Sequence, residues 1–178
     1  MSRPRGTLLA RAGLTMLLAV AADQLTKALV RGSIEPSETV SFLPGIDLVR
    51  VANDGIAFGL FDGLSSGLLV AIGLLFTIGL GIFLISEVET RPGLWLPAGL
   101  LAGGAIGNLI DRLRDGFVTD FIDPPAWPAF NFADIEITVG VVLLAWALLR
   151  EPEEASEAEA GDEDERSIDG PPAEPAGR

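Results

Sequence analysis

Four long apolar stretches organise the chain: roughly Leu8–Val30, Leu64–Ser86, Leu94–Ile110 and Ile135–Leu149. The first is broken late by Asp23 and Lys27, the second and third carry no charge, and the fourth is interrupted only by Glu136. A helix crosses a bilayer with about 20 apolar residues, in a range of about 17–25. The second stretch meets that length outright. The third meets it with Gly93 and the Asp111 turn counted at its ends, and the fourth if it starts near Ala133. The pattern predicts four transmembrane helices. A secretory signal peptide is the competing reading of the first stretch, but its apolar part exceeds a usual signal core and three more apolar runs follow.

Two segments separate these runs on one side of the bilayer. Arg31 to Gly63 holds Pro36, Pro44 and several glycines, and its "TVSFLPGIDLVRV" is β-branched and alternating, which predicts short strands. Arg114 to Ala133 holds "DPPAWPAF", whose Trp127 and Phe130 suit an interfacial aromatic belt. Irregular backbone cannot face lipid, so these segments belong at or above the interface. Arg3, Arg5 and Arg11 before the first run, Arg91 in the second turn and Arg150 after the fourth put both termini in the cytoplasm. Arg31, Arg50, Arg112 and Arg114 fall on the opposite side, which the positive-inside rule accommodates if they serve a site or the interface. The expected fold is an all-α membrane protein. Residues 1–150 form four transmembrane helices, with a small external β-containing segment at about 31–63 between helices 1 and 2. Residues 151–178 form a disordered acidic cytoplasmic tail.

Composition sharpens this picture in two places. Of the net charge of −13 over 178 residues, the tail from Glu151 carries eleven acidic residues against two arginines, or −9, leaving −4 for residues 1–150. The acidity therefore describes a tail too poor in large apolar groups to offset its ordering entropy, not a charged core. Cysteine and histidine are both absent. That excludes disulfides and thiol catalysis, and it removes the usual general base and most zinc sites. Hydrolytic chemistry here must rest on carboxylates, lysine, hydroxyls or a carboxylate-bound ion.

The carboxylates cluster where apolar runs begin and end. Gly99, Gly103 and Gly107 are spaced four apart in the third run, a stripe that lets neighbouring helices approach closely. Asn108, Asp111 and Arg112 emerge from it on one face. Asp23 and Lys27 form an i, i+4 pair inside the first run, either self-satisfied or supporting a site. Asn53-Asp54-Gly55 marks a turn, or a loop contacting a bound peptide. Asp134 stands at an N-cap position ahead of the fourth run. If the third and fourth helices are neighbours, their outer ends bring Asp111, Asp120 and Asp134 together. Two close carboxylates at low dielectric share one proton, giving one acid and one base that can activate a water. Spacing alone does not choose between Asp111 and Asp120.

Taken in order, "DQLTK", "NDGIAF", "GGAIGNLIDR", "VTDF" and "FNFAD" resemble the lipoprotein signal peptidase (signal peptidase II) family, over nearly all of Ala22–Gly140. The resemblance implies a four-helix, inner-membrane aspartic endopeptidase. Such an enzyme removes the signal peptide of a bacterial prolipoprotein just before a diacylglyceryl-modified cysteine, and globomycin-type inhibitors block it. It puts the catalytic pair on Asp120 and Asp134. It makes Asn53, Gly55, Asn108, Asp111, Arg112, Asn131, Asp23 and Lys27 substrate-binding or supporting residues. It implies no cofactor, metal or nucleic acid, and a monomer whose partners are the lipid-modified substrate and membrane lipids. The chain departs from the family pattern at Ile56, Ile135 and Glu136, in a short Asp120–Asp134 segment, and in the acidic tail. Two other classes compete. A small polytopic ion or proton-coupled transporter would relay through Asp23, Lys27 and Asp111, and a non-catalytic scaffold would bind a cytoplasmic partner through its tail.

Overall fold

The computed structural model describes residues 5–54, 66–88 and 91–168. They form two compact units, Met1–Leu144 and Ala145–Arg178. In the first, helix α1 (Arg5–Ser33) leads to strands β1 (Thr39–Leu43) and β2 (Ile46–Asn53). Helix α2 (Ser66–Val88) follows, then a short turn at Pro92–Leu94, helix α3 (Trp95–Asp115), strand β3 (Val118–Asp123) and the start of helix α4 (Phe132–Ile168).

Three helices among the described residues are long and apolar enough to cross a membrane: Gly6–Ser33, Val70–Val88 and Phe132–Arg150. Their outward faces carry large apolar side chains. Leu14, Leu17, Leu18, Leu25 and Leu29 of α1, Leu75 and Ile82 of α2, and Val142 of α4 are all exposed. Patches this extensive suit lipid contact rather than water. On α2, the Thr77 hydroxyl donates to the Gly73 carbonyl and the Ser86 hydroxyl to the Phe83 carbonyl, so both are satisfied within the helix, as an apolar medium requires.

The third apolar run behaves differently from its neighbours. Helix α3 has 21 residues, about 31 Å at 1.5 Å per residue. Yet it ends in Asp111, Arg112, Arg114 and Asp115 and owes much of its apolar character to glycine and alanine. It is the buried centre of the unit, with ten of its residues buried. Its glycines set that position. A Cβ at Gly99 would lie 2.5 Å from Thr15 Cβ, one at Gly103 would collide with Ala19 Cβ, and one at Gly104 would lie 2.5 Å from the Ala133 carbonyl. Helices α1 and α4 therefore both press against the α3 backbone. Gly116, at φ 82°, closes α3 by donating its N–H to the Arg112 carbonyl at 3.1 Å.

The strand content exceeds expectation. β1 and β2 pair antiparallel across Pro44-Gly45, with Gly45 at φ 81° as the second central residue of a Pro-Gly turn. The addition is β3, which pairs antiparallel with β2 to give a three-stranded sheet in the order β1-β2-β3. "VTDFID" alternates too weakly to signal a strand, because its first four residues are all buried. A small sheet thus joins the two segments that separate the apolar runs.

Helix α4 differs from expectation at its far end. It continues to Ile168, whereas the composition of residues 151–178 predicted no regular structure. The reason lies in "EPEEASEAEA", where glutamate and alanine both favour helix. In the second unit, Arg150 stacks over the Trp146 ring at 4.2 Å.

Candidate active site

Five elements of the first unit, α1, β2, α3, β3 and the start of α4, build a polar cluster inside an otherwise apolar bundle. From α1 come Asp23 and Lys27, both fully buried. Lys27 Nζ sits 3.0 Å from Asp23 Oδ2 and 3.3 Å from Asp111 Oδ2 of α3. A buried lysine between two carboxylates is charge-compensated, which is what a low-dielectric interior demands. Asp23 Oδ1 accepts the Ala133 backbone N–H at 3.1 Å, so the pair also ties α1 to the first turn of α4. A side chain at Gly107 would occupy this space, since a Cβ there lies 2.5 Å from Asp23 Oδ2.

Asp111 is saturated with donors. Its oxygens face Lys27, Gln24 Nε2 at 3.1 Å, the Thr119 backbone N–H at 3.1 Å, Arg31 at 3.6 Å and Arg114 at 3.4 Å. Arg31 also donates to the Thr119 hydroxyl at 3.0 Å, and Arg50 donates to the Arg31 carbonyl at 3.2 Å. Arg112 lines the adjacent cavity, where Asp134, Asp120 and Asp111 act on it in that order. All four arginines that ran against the charge rule therefore have partners in or beside this cluster. Gln24 and Thr119 were not picked out from sequence. Gln24 was readable as the third polar residue of "DQLTK" in an apolar run, whereas Thr119 depends on β3 and has no local signal.

The loop "FNFAD" supplies a reciprocal cap. α4 starts at Phe132, which makes Asn131 its N-cap and Asp134 the third residue of its first turn, not the N-cap expected from sequence. Asn131 Oδ1 accepts the Asp134 N–H at 3.2 Å, and Asp134 Oδ2 accepts the Asn131 N–H at 3.0 Å. This is a capping box with both partners paired. The Asn131 amide then reaches Asp120 Oδ1 at 2.7 Å and Asn108 Oδ1 at 3.2 Å. Asn131 thus holds Asp134 with its backbone and Asp120 with its side chain.

Asp120 is aimed by the sheet. It pairs with Val51 of β2, and two residues further along β2 the Asn53 amide donates to Asp120 Oδ2 at 2.8 Å. Burial pushes Asp120 up to about 6, against the lowering effect of hydrogen bonds from Asn53 and Asn131. Nearby Asp134 adds to the rise and Lys27 opposes it. Asn108 completes the arrangement, donating its amide to Asp134 Oδ1 at 2.9 Å while its oxygen accepts Lys27 at 2.9 Å.

A cavity of about 540 Å³ opens on this arrangement, lined by Asn53, Asn108, Arg112, Asp120, Asn131 and Asp134, with Trp127, Phe130 and aliphatic groups of α4 on its apolar wall. Asp120 and Asp134 are the only carboxylates among its lining residues. The structure thus separates Asp120 from Asp111, which spacing alone could not. Every other residue of the expected site lies in the cluster except Gly55, which with Ile56 falls outside the described residues. Glu136 is buried with Oε2 unpartnered among the described residues, and the charges acting on it are Asp23 and Lys27 rather than the cavity pair. Ile135 lines the cavity wall. No group of three His, Cys, Asp or Glu residues suited to a metal ion occurs among the described residues.

Comparison with known proteins gives one consistent answer. The profile of the family described as "Signal peptidase (SPase) II" matches residues 15–150. The lipoprotein signal peptidase of Moorella thermoacetica is 41% identical over 141 residues, covering 76% of this chain and 91% of that protein. That of Gloeobacter violaceus is 42% identical, covering 77% and 80%. Among solved structures, a bacterial membrane enzyme determined by the in meso method superposes with a TM-score of 0.75 at 29% identity, covering 82% of this chain and 92% of that one.

Proposed function

Because this chain belongs to the signal peptidase II family and is a peptidase, we propose that it is an aspartic endopeptidase that cuts diacylglyceryl-modified prolipoproteins just before the lipidated cysteine. The observation that carries this reading is the cavity in which Asp120 and Asp134 are the only lining carboxylates, one held by each end of Asn131. A water between them loses a proton to the ionised carboxylate as its oxygen attacks the scissile carbonyl carbon. The protonated carboxyl donates to the carbonyl oxygen, giving a tetrahedral diol. Collapse returns a proton to the amide nitrogen and breaks the C–N bond, leaving a signal peptide with a new carboxylate and a lipoprotein with a free cysteine amine.

The apolar exterior supports the remainder of the reading. Four spans, α3 included, would hold the protein in the inner membrane with both termini cytoplasmic and the cavity at the outer face. The acyl chains of the substrate would then stay in lipid while the peptide enters the cavity. A globomycin-type inhibitor would occupy the same cavity, and a monomer suffices because both carboxylates come from one chain. The ion-relay alternative is less supported, since Asp23, Lys27 and Asp111 are fully buried and already paired.

The test is cleavage of a diacylglyceryl-modified prolipoprotein by the purified full-length chain in lipid, with the unmodified precursor alongside. We expect a single new amino terminus at the lipidated cysteine and an intact unmodified precursor. Cleavage elsewhere, or equal cleavage of both precursors, contradicts the assignment.

A further inference from the structure

Asn108 has one permitted amide orientation. Its Oδ1 lies 2.9 Å from Lys27 Nζ and 3.2 Å from Asn131 Nδ2, both donors, and its Nδ2 lies 2.9 Å from Asp134 Oδ1, an acceptor. Turning the amide over would set nitrogen against two donors and oxygen against a carboxylate. Of the two donors, Lys27 carries the charge, and it is itself fixed between Asp23 and Asp111 with no exposure. Lys27 does not line the cavity, so it is placed to act on the cavity through Asn108.

The two carboxylates are not treated alike. Asp134 receives the Asn108 amide on one oxygen and the Asn131 backbone N–H on the other, in the first turn of a helix. Asp120 lies on a strand, is 3% exposed, and receives two neutral side-chain amides. A hydrogen bond from an amide polarised by a buried ammonium favours the ionised acceptor more than one from an unpolarised amide. Asp120 therefore suits the proton-holding role and Asp134 the water-activating one.

We propose that Lys27 is a positioning residue that acts through the Asn108 amide, fixing a donor on Asp134 and so making Asp134 the base and Asp120 the acid. This rests on the peptidase reading above. Of the charged groups, Arg112 of α3 and Asp120 of β3 act directly with Asp134, while Lys27 and Asp23 of α1 and Asp111 of α3 form the ion cluster behind Asn108, and Glu136 on the same helix as Asp134 is turned towards Asp23 and Lys27. None of the others donates to Asp134 through a fixed amide.

The measurement is the pH profile of kcat/KM for cleavage of a lipid-modified prolipoprotein by the full-length chain, comparing wild type, Lys27→Met and Asn108→Asp. The second variant keeps a partner for Lys27 and the shape of the side chain, so it serves where Lys27→Met fails to fold. Both replace or release the donor on Asp134, and both should move the acid limb up by roughly one to two pH units, while Lys27→Met should also raise the alkaline limb by less, because Lys27 acts directly on Asp120. A shift of the alkaline limb with the acid limb unmoved reverses the roles of the two aspartates. A fall in rate with neither limb moved makes Lys27 merely structural, and either result overturns the proposal. Failure of the underlying reading is seen separately, as cleavage retained by Asp120→Asn or Asp134→Asn.

Discussion

Asn131 joins two functions that single substitutions can separate. As N-cap it satisfies the start of α4, and as an amide it bridges Asp120 and Asn108. Serine also caps but cannot bridge. Asn131→Ser should therefore keep the roughly 0.5–2 kcal/mol of stability from the cap that Asn131→Ala loses, while both variants lose most cleavage. Thermal unfolding and initial rates on the same preparations check this: equal loss of stability in both variants would count against the cap, and near-wild-type cleavage by Asn131→Ser against the bridge. Asp120 carries its own pH signature. Its folded pKa of about 6 lies above the ordinary carboxylate value of 3.8, so the native state binds more protons across that window and stability falls as pH rises through it. Asp120→Asn should flatten that fall, by at most roughly 3 kcal/mol, and should unfold later than wild type at pH 7 but alongside it at pH 4. Most of these residues were legible in sequence because each is a polar group in or beside an apolar run. Spacing alone did not choose between Asp111 and Asp120, because that depends on which carboxylate faces the cavity; only the motif resemblance pointed to Asp120.

Among the elements, α3 is the organiser, and its glycines are why. Gly103 faces α1 so closely that any Cβ would meet Ala19 Cβ and sit 3.0 Å from the Met16 carbonyl. Gly103→Val should push α1 from α3, cost about 1–3 kcal/mol and lower activity by displacing Lys27 from Asn108. Gly79→Ala on α2, where a Cβ meets nothing within 4 Å, should be silent. Thermal unfolding of the two variants in detergent decides it, and a Gly103→Val protein as stable as wild type would contradict close packing as the role of the stripe. The small-residue spacing made this contact readable beforehand. The pairing of β3 with β2 was hidden, since it joins residues some seventy positions apart by backbone hydrogen bonds that leave no side-chain period. Yet that pairing is what carries Asp120 to Asn53.

Within the first unit, buried charged residues sit inside and many large apolar side chains of the described helices face outward. Such an arrangement suits an enzyme whose substrate arrives through lipid, because the bundle shields the polar site at membrane depth. Every residue lining the cavity precedes Arg150, so on the proposed reading a chain ending at Arg150 should process a lipid-modified precursor at the wild-type rate in vesicles. Loss of cleavage on that truncation would move part of the function into the acidic segment. The helical backbone to Ile168 is not legible from hydrophobicity, which is low there; it follows the helix preference of glutamate and alanine.

The central claim is that Asp120 and Asp134 act as one unit on one water. Single-turnover cleavage of a diacylglyceryl-modified prolipoprotein by Asp120→Asn, Asp134→Asn and the double variant tests it most directly, with and without a chelator. Each single variant should lose at least about 1000-fold, the double variant should be no slower than either single, and the chelator should change nothing. Additive losses, a single variant near wild-type rate, or chelator-sensitive cleavage would contradict the account.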